Sequence, residues 1–391
     1  MQDNYINILL DLKEAKVKNV EILSDEIYIY IETVAHECKC PCCGKKTAKI
    51  HDYRIQKIKD IPYTFKPVII VLRKRRYACS CGKRFYENYD FLPKYHRMTS
   101  RLAACICNLF TDTISIKKVA NLTNLSVTTV TRILDKIHYG KPDISKTIAI
   151  DEFKGNAETG KFQCILVDPQ KKKILDILPS RTDAFLTQYF REIPKDKRHR
   201  VKFFVCDMWK PYVELAKIFF PNAKIIIDKY HFIRQVSWAL EGVRKRLQKT
   251  MPAKLRRYYK HSRSLLMKSY HSLSEEEKQA VDLMLLYNDD LRFAHRLKEE
   301  FWKICHMKKY SEQRKSFNNW ILRAQNSNIK EFEKCASTYI NWHKEILNAF
   351  KYNYSNGCTE GFNNKIKVIK RTSYGVKNFK RFIIRILHAT K

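Results

Sequence analysis

The alternation of apolar and polar positions changes character several times along the chain. Residues 1–35 predict a short helix and then two strands, VEIL and IYIYIETV, which a polar turn at SDE separates. Residues 36–95 contain a further β-branched run, VIIVLRKRRYAC. From residue 96 to 140 the apolar positions recur with the helical period and polar caps precede them, so helices are expected there.

After residue 140, five short runs are rich in β-branched residues and apolar at most positions, a pattern typical of buried strands. They read TIAIDEF, FQCILVD, KILDILPS, VKFFVCD and KIIIDKY. A helix-like segment at residues 183–192 follows the third run, and PYVELAKIFF separates the fourth from the fifth. This order predicts a mixed-sheet α/β domain.

From residue 236 to 345 the strand patterns disappear. Long, basic, amphipathic helical patterns replace them, including WALEGVRKRLQK and DDLRFAHRLKEEFWKI. Residues 351–391 are again helical in pattern, with a polar turn at YSNGCTEG. Because 391 residues exceed one ordinary core, we expect a multidomain protein.

The charge balance indicates the kind of partner. Lys and Arg number 76 and Asp and Glu number 40, which gives a net charge of +36. A surplus of this size favours nucleic acid. An anionic membrane would instead require a basic amphipathic anchor or an apolar run of ~18 residues, and neither stands out. The start, MQDNYINILLDLKEAK, does not resemble a signal peptide, so we expect a cytoplasmic protein with no membrane partner.

The cysteines indicate a metal site in a reduced compartment. Six of the thirteen lie between residues 38 and 81. Cys40 and Cys43 form a C-x-x-C pair, and Cys79 and Cys81 form a second, shorter pair; a glycine follows each pair. Zinc takes four such thiolates in a tetrahedron, so we expect a structural zinc-ribbon-like site.

Two features leave the ligand set open. Cys38 and Cys42 are rival ligands, and the C-x-C spacing of the second pair is one residue shorter than usual. The basic run RKRR at residues 73–76 lies beside this pair and is a candidate phosphate contact.

The segment ISIKKVANLTNLSVTTVTRILDKI predicts two helices around a short turn. Ser126 is a suitable N-cap for the second helix. Val119, Ala120, Val130, Ile133 and Leu134 are expected to face inward. Thr128, Thr129 and Arg132 are expected to face outward and, in a helix-turn-helix, to enter the major groove of DNA. An ordinary helical hairpin is the alternative; the basic charge and the neighbouring metal site favour DNA binding.

Three carboxylates stand out by their positions. Asp151 and Asp207 each end a strand-like run, and Glu360 is the only acid among residues 351–391, which hold ten Lys and Arg. Carboxylates at the ends of neighbouring strands can hold a pair of Mg²⁺ or Mn²⁺ ions for displacement at phosphorus. The basic residues around Glu360 would then hold DNA: Lys365, Lys367, Lys370 and Arg371.

Each acid also has a structural explanation. Asp207 is placed to cap a helix, Asp151 to end a strand, and Glu360 to interact with a helix N-terminus. Other acids in or beside the strands remain open as alternatives: Glu152, Asp168, Asp176 and Asp228.

Over nearly its whole length the chain resembles the DDE transposases of the ISL-three insertion-sequence family. The resemblance rests on CPCCG, CSCGKRF, SVTTVTRIL, IAIDEF, VCDMWKPY, DKYHFIRQ and NGCTEGFNNKIKVIKRTSYGVKNFKRFIIRIL, in this order. It implies Asp151, Asp207 and Glu360 as the catalytic, metal-binding acids. Accessory residues follow from its DKYH-type motif: Asp228, His231 and Arg234.

The resemblance also implies an RNase H-like catalytic domain that an all-helical insertion interrupts. We therefore expect five segments: a zinc-binding domain at 1–95, a helix-turn-helix at 96–140, the first part of the catalytic domain at 141–235, the insertion at 236–345 and the last part of the catalytic domain at 346–391.

The expected function is that of a transposase, which binds the terminal inverted repeats of its element, cuts the DNA and joins the freed ends to target DNA. We expect it to act on double-stranded DNA as a homo-oligomer, associated with the bacterial nucleoid. A non-catalytic zinc-ribbon and helix-turn-helix regulator is one alternative, although it would leave the acids unexplained. An RNase H-like nuclease that cuts without joining is another.

Overall fold

The computed structural model describes residues 12, 15–140, 143–155, 158–261 and 263–390. The short helix expected at the start of the chain lies outside the described residues. The chain divides into two compact units, which are residues 1–140 with 365–391 (unit 1) and residues 141–364 (unit 2). The helix that contains Glu360 therefore has residues in both units.

Unit 1 contains a five-stranded sheet in the order β1-β2-β6-β5, with β7 paired to β6. Its strands are β1 (Ala15–Ile22), β2 (Ile27–Thr33), β5 (Ile50–Tyr63), β6 (Lys66–Ala78) and β7 (Arg84–Tyr86), while β3 (Cys38–Lys39) and β4 (Lys46–Thr47) form a separate hairpin. Alternate residues of β2, β5 and β6 fill one apolar core, among them Ile31, Ile58 and Leu72. The opposite face of β5 carries exposed Lys57 and Lys59.

Three helices follow in unit 1: α1 (Ser100–Leu109), α2 (Ile116–Thr123) and α3 (Val127–Leu134). A hydroxyl side chain caps the start of each one, at Thr99, Ser115 and Ser126, by accepting a backbone N–H bond. Asn124 ends α2 with a left-handed backbone, φ 52°, which opens the short turn before α3. As expected, Val119, Ala120, Val130 and Leu134 are buried together.

The last helix of the described chain, α16 (Phe379–Ala389), packs on these three helices. Ile384 contacts their apolar core, and Arg381 forms an ion pair with Asp135 at 2.7 Å. The buried guanidinium of Arg385 donates to the carbonyl oxygen of Ile114. The core of the helix-turn-helix region is therefore completed by residues far along the chain.

We predict that Ile384→Ala weakens the helix-turn-helix region. Removing apolar contacts from a packed core costs about 2 kcal/mol, which corresponds to a fall of roughly 5 °C in the unfolding temperature of a unit of this size. Differential scanning calorimetry measures this shift. Lys380→Ala, at an exposed position of the same helix, is the control. Equal unfolding temperatures for the two variants would contradict the packing described here.

Unit 2 contains a second five-stranded sheet, in the order β10-β9-β8-β11-β12. Its strands coincide with the five predicted runs: β8 (Thr147–Lys154), β9 (Phe162–Asp168), β10 (Lys173–Leu178), β11 (Phe203–Cys206) and β12 (Lys224–Ile227). Strand β9 runs antiparallel to both of its neighbours, β8 and β10, while β11 runs parallel to both β8 and β12. Three helices accompany this sheet: α4 (Asp183–Arg191), α5 (Lys195–His199) and α6 (Lys210–Phe219).

The described residues between β12 and the final acid form helices and no strand. The helices are α7 (Lys229–Gln248), α8 (Ala253–His261), α9 (Arg263–Met267), α10 (Glu275–Leu286), α11 (Asp289–His306), α12 (Tyr310–Gln325), α13 (Lys330–Asn341) and α14 (His343–Tyr352), with a 3₁₀ turn at Tyr270–Ser272. A cluster of aromatic rings holds several of them together, including Phe301, Trp320 and Tyr339. The mixed α/β sheet followed by a helical region is the architecture that the sequence predicted.

Helix α15 (Gly357–Thr372) begins five residues after α14 ends and carries Glu360 in its first turn. Helix α14 lies against β12, and Asn348 donates to the carbonyl oxygen of Ile225 at 2.8 Å. The helical region thus starts and ends at the edge strand of the unit 2 sheet. Within the described ranges, no helix has both the length and the apolar character that a membrane crossing requires.

Candidate active site and zinc centre

Three acids occupy one end of the parallel part of the unit 2 sheet. Asp151 lies within β8, while Asp207 and Asp228 directly follow β11 and β12. The register pairs Val205 with Ala149, and both Asp151 and Asp207 lie two residues further along their strands. Because neighbouring strands are ~4.8 Å apart and the side-chain period is two, these two carboxylates lie side by side on one face.

Burial makes Asp151 and Asp207 costly to ionise. It raises the pKa of Asp151 to about 7, and the negative charges of Asp207, Glu152 and Asp228 add to the rise. Burial likewise raises the pKa of Asp207 to about 6. The Oδ1 atom of Asp207 is buried and has no hydrogen-bond partner among the described residues. A buried carboxylate oxygen without a partner fits an additional cation, because a divalent ion would offset both the burial and the repulsion.

The competing acids have other partners. Glu152 forms an ion pair with Arg181. Asp168 accepts the backbone N–H groups of Gln170 and Lys171 and so stabilises the turn after β9. Asp176 accepts the Tyr189 hydroxyl at 2.7 Å. These contacts give all three a structural role, whereas Asp228 lies beside Asp207.

The start of helix α15 contacts this end of the sheet. The Asn363 side chain donates to Oδ2 of Asp151 at 2.9 Å. Glu360 is exposed and lies three residues earlier, which places it on the same side of the helix one turn towards the N-terminus. The described structure does not bring the ligand atoms of Glu360, Asp151 and Asp207 within 4.8 Å of one another, so the convergence of these three acids stays a prediction.

Two asparagines of this segment, Asn356 and Asn363, were not among the site residues predicted from the sequence. The backbone N–H of Asn356 donates to Asp228 at 2.9 Å, and its side chain donates to the carbonyl oxygen of Ile150 at 3.3 Å. The motif NGCTEGFNN was the available signal, since Asn363 follows Glu360 at helical spacing. These two asparagines connect the segment around Glu360 to the strands that carry the other acids.

His231 and Arg234 lie in the first two turns of α7, directly after Asp228. Burial lowers the pKa of His231, while the negative charges of Asp228 and Glu360 oppose this effect. Arg234 packs its guanidinium over the Trp238 ring at 4.5 Å, and its Nη2 lies 3.3 Å from Nδ1 of His231. The structure thus brings the accessory residues close to the same group of acids; their roles stay predictions.

The four predicted zinc ligands meet at one point in unit 1. The Sγ atoms of Cys40 and Cys81 are 3.7 Å apart and those of Cys43 and Cys79 are 3.5 Å apart, with all four within 4.8 Å of one another. A tetrahedral ion with Zn–S bonds of ~2.3 Å requires S···S separations of ~3.8 Å. Among the described residues this is the only such cluster of His, Cys, Asp and Glu.

The backbone around the cluster also fits a zinc ion. Gly44 and Gly82 adopt left-handed conformations, φ 73° and 84°, in the two tight turns that follow the cysteine pairs. The backbone N–H of Cys81 lowers the pKa of Cys79 to about 6, which favours the thiolate. The thiols of the rival ligands are not part of the cluster. Cys42 contacts it through its backbone N–H, which donates to Sγ of Cys40 at 3.4 Å, and the Cys38 thiol contacts the His36 ring.

We predict that Cys43→Ser combined with Cys81→Ser removes the metal. Zinc content of the purified protein should fall from about one ion per chain to near zero, because two of four thiolates are lost. Inductively coupled plasma mass spectrometry measures it. Cys38→Ser combined with Cys42→Ser is the matched control and should retain zinc. If the control variant lost zinc and the first variant retained it, Cys38 and Cys42 would be the ligands instead.

The predicted DNA-binding side chains differ in exposure. Thr128 and Arg132 of α3 are exposed, and Thr129 is half-buried because its hydroxyl contacts Ser126 at 2.9 Å. In α15, Lys367 and Arg371 are exposed, Lys370 is half-buried, and Lys365 donates to the carbonyl oxygen of Ala389. Lys365 thus ties α15 to α16, a structural contact that sequence spacing does not reveal.

The RKRR run contributes less free positive charge than its sequence suggests. Arg75 is buried and pairs with Glu32 at 2.9 Å and with Glu87 at 3.5 Å. Arg73 also approaches Glu32, and Arg76 pairs with Asp52 at 3.4 Å. Contact of this run with phosphates stays a prediction, and the buried Arg75 is the member that its acid partners hold most closely.

Comparisons with known proteins agree with this organisation. Three family models match in succession: the zinc-finger of transposases IS204/IS1001/IS1096/IS1165 at residues 36–81, the helix-turn-helix domain of transposase family ISL3 at 87–138, and the ISL3 transposase domain of the DDE type at 148–386. A zinc finger, a helix-turn-helix domain and a DDE-type domain, each of transposases, thus follow one another along the chain. The chain belongs to the ISL3 (ISL-three) family of transposases.

Individual relatives extend the comparison. The chain is 28% identical over 373 residues to the transposase for insertion sequence element IS1001 from Bordetella parapertussis, which covers 92% of this chain and 90% of that protein. It is also 30% identical over 111 residues to a Lactococcus lactis subsp. lactis protein described as an ATP-dependent protease. The second match spans only 28% of this chain and 34% of that protein, so it carries no function over. The first supports a transposase over a non-catalytic regulator.

Proposed function

We propose that Asp151, Asp207 and Glu360 form the catalytic centre of this transposase, which cuts DNA at the ends of its element and joins the freed ends to a target. The observation that carries the proposal is the buried Oδ1 of Asp207, which lacks a hydrogen-bond partner beside a second buried carboxylate. Two Mg²⁺ or Mn²⁺ ions bound there would activate water or a 3′-hydroxyl and stabilise the leaving oxygen.

The neighbouring residues keep these acids in position. Asn363 holds the Asp151 carboxylate by its Oδ2 atom, and Asn356 holds Asp228. Because Asp151 and Asp207 are buried, few side-chain rotamers are open to them, and their carboxylates have little freedom to move. The exposed Glu360 can approach from α15 when ions and DNA are present. Basic residues of the same helix would hold the phosphates.

The sheet order supports an RNase H-like catalytic domain. Numbered within the sheet, the strands run 3-2-1-4-5, with three antiparallel strands followed by two parallel ones. We place the helical region 236–345 as an insertion between β12 and α15, with 141–235 and 346–391 as the two parts of the catalytic domain. Residues 1–95 and 96–140 supply the zinc-stabilised and helix-turn-helix modules.

The DNA substrate has two ends, and both must be cut and joined together. A homo-oligomer, in which each copy holds one end through α3, would satisfy this requirement. The site of action is the bacterial nucleoid in the cytoplasm. The zinc ion is structural in this scheme, because four thiolates leave no open position for a substrate.

We predict that Asp207→Asn abolishes cleavage and spares DNA binding. The change keeps the shape of the side chain but removes a charged metal ligand, so strand cleavage should fall by about 100-fold or more. DNA affinity arises from Lys and Arg and should remain or rise slightly. Cleavage and gel-shift assays on one end fragment measure both quantities.

Asp176→Asn is the matched control, because it makes the same change at another half-buried acid of the sheet, one that the Tyr189 hydroxyl already satisfies. It should cleave like the parent protein. Parental cleavage by Asp207→Asn would instead eliminate the catalytic assignment. Joint loss of binding and cleavage would identify Asp207 as a structural cap.

We predict that Arg132→Ala weakens sequence-specific binding to the element ends. Loss of a side chain that contacts base edges costs ~1–3 kcal/mol, so affinity for the end fragment should fall about 5- to 150-fold while affinity for unrelated DNA changes little. Competition gel shifts with the two DNAs measure the ratio. Lys217→Ala, at an exposed position of α6, should leave the ratio unchanged. An unchanged ratio for Arg132→Ala would exclude it from base recognition.

A further inference from the structure

A groove of about 770 Å³ runs between helix α3 and the outward face of the unit 1 sheet. Strands β5 and β6 form one wall, the loop at residues 95–98 borders it, and α3 with its flanking residues forms the other wall. Five exposed Lys and Arg side chains line it: Lys57, Lys59, Arg97, Arg132 and Lys136.

The charge of this groove distinguishes it from the remainder of the sheet. No Asp or Glu is among the described residues that line it. Arg73, Arg75 and Arg76, in contrast, each approach an acid of the sheet. The volume would suit a small molecule, but such pockets are mainly apolar with few charges. A lining with five cations and no acid fits a polyanion.

The two walls are joined by direct contacts, so the groove is a fixed feature of unit 1. Lys59 donates to the carbonyl oxygen of Asn124 at 3.3 Å. The Asn124 side chain in turn donates to the carbonyl oxygen of Phe65 at 3.2 Å. Asn124 is the residue that opens the turn before α3. The Gln56 side chain further donates to the carbonyl oxygen of His96 at 2.8 Å. These contacts hold strand β5 in a defined position relative to α3.

We propose that this groove binds the phosphate backbone of the element-end duplex, beside the major groove that α3 enters. Strand β5 and Arg97 contact phosphates and set the register of the protein on DNA, while α3 contacts the bases. Phosphate contacts of this kind position a protein without reading sequence. The inference rests on the proposed DNA binding through α3 and adds the N-terminal sheet as a second contact surface.

Salt dependence of binding tests the proposal. Each phosphate contact that is lost lowers the steepness of log K against log salt by ~0.9. Lys57→Ala and Arg97→Ala should each lower it by about that amount and weaken binding to end DNA and to unrelated DNA by the same factor. Fluorescence anisotropy of the full chain with both duplexes, from low to high salt, measures slope and affinity. The unfolding temperature of each variant verifies folding.

Arg73→Ala is the matched control. It removes one positive charge from the same sheet, but from a residue that already approaches Glu32 and stacks on the Tyr53 ring at 3.9 Å. Its slope should equal that of the parent protein. Slopes for Lys57→Ala and Arg97→Ala that match this control would overturn the inference.

A second measurement identifies the DNA partner. Uncharged methylphosphonate linkages beside the recognition site should weaken parent binding and abolish the difference between the parent protein and Lys57→Ala. If the parent protein does not bind end DNA at all, the proposed function fails together with the inference. If the parent binds and the variants alter sedimentation but not slope, the groove is an interface between copies, and only the inference fails.

Discussion

Parallel pairing of three neighbouring strands is the constraint on which the candidate active site depends. Strand β11 lies between β8 and β12, and its register sets Asp151, Asp207 and Asp228 at one end of the sheet. A shift of one residue would turn a carboxylate to the opposite face. The surrounding apolar strands fix this register and also raise the pKa of Asp151 and Asp207, so the same packing positions these two carboxylates and makes a compensating cation favourable.

Only part of the positive charge of this chain is available to a binding partner. Part of the surplus is used internally, as in the Arg75 pairs with Glu32 and Glu87 and the Arg181 pair with Glu152. Elsewhere the lining of the groove beside α3 includes no acid among the described residues. Net charge therefore indicates the class of partner, whereas only the pairing of individual side chains shows which surface remains available to bind it.

Local patterns predicted the elements well. The five apolar runs became the five strands of unit 2, and Ser126 caps the helix that its sequence suggested. Contacts between residues distant in sequence were not predictable in this way. Asn363 meets Asp151 across 212 positions, and the outward arginines of RKRR find acids on other strands. Such partners depend on tertiary packing, which periodicity along one segment does not encode.

Helix α16 has a consequence for biosynthesis. It completes the helix-turn-helix core through Ile384, Arg381 and Arg385, yet the ribosome makes it only after all of unit 2. Until then the nascent chain exposes the apolar surface that α16 covers. The apolar core of the helix-turn-helix region is therefore complete only after residues 141–364 have been synthesised.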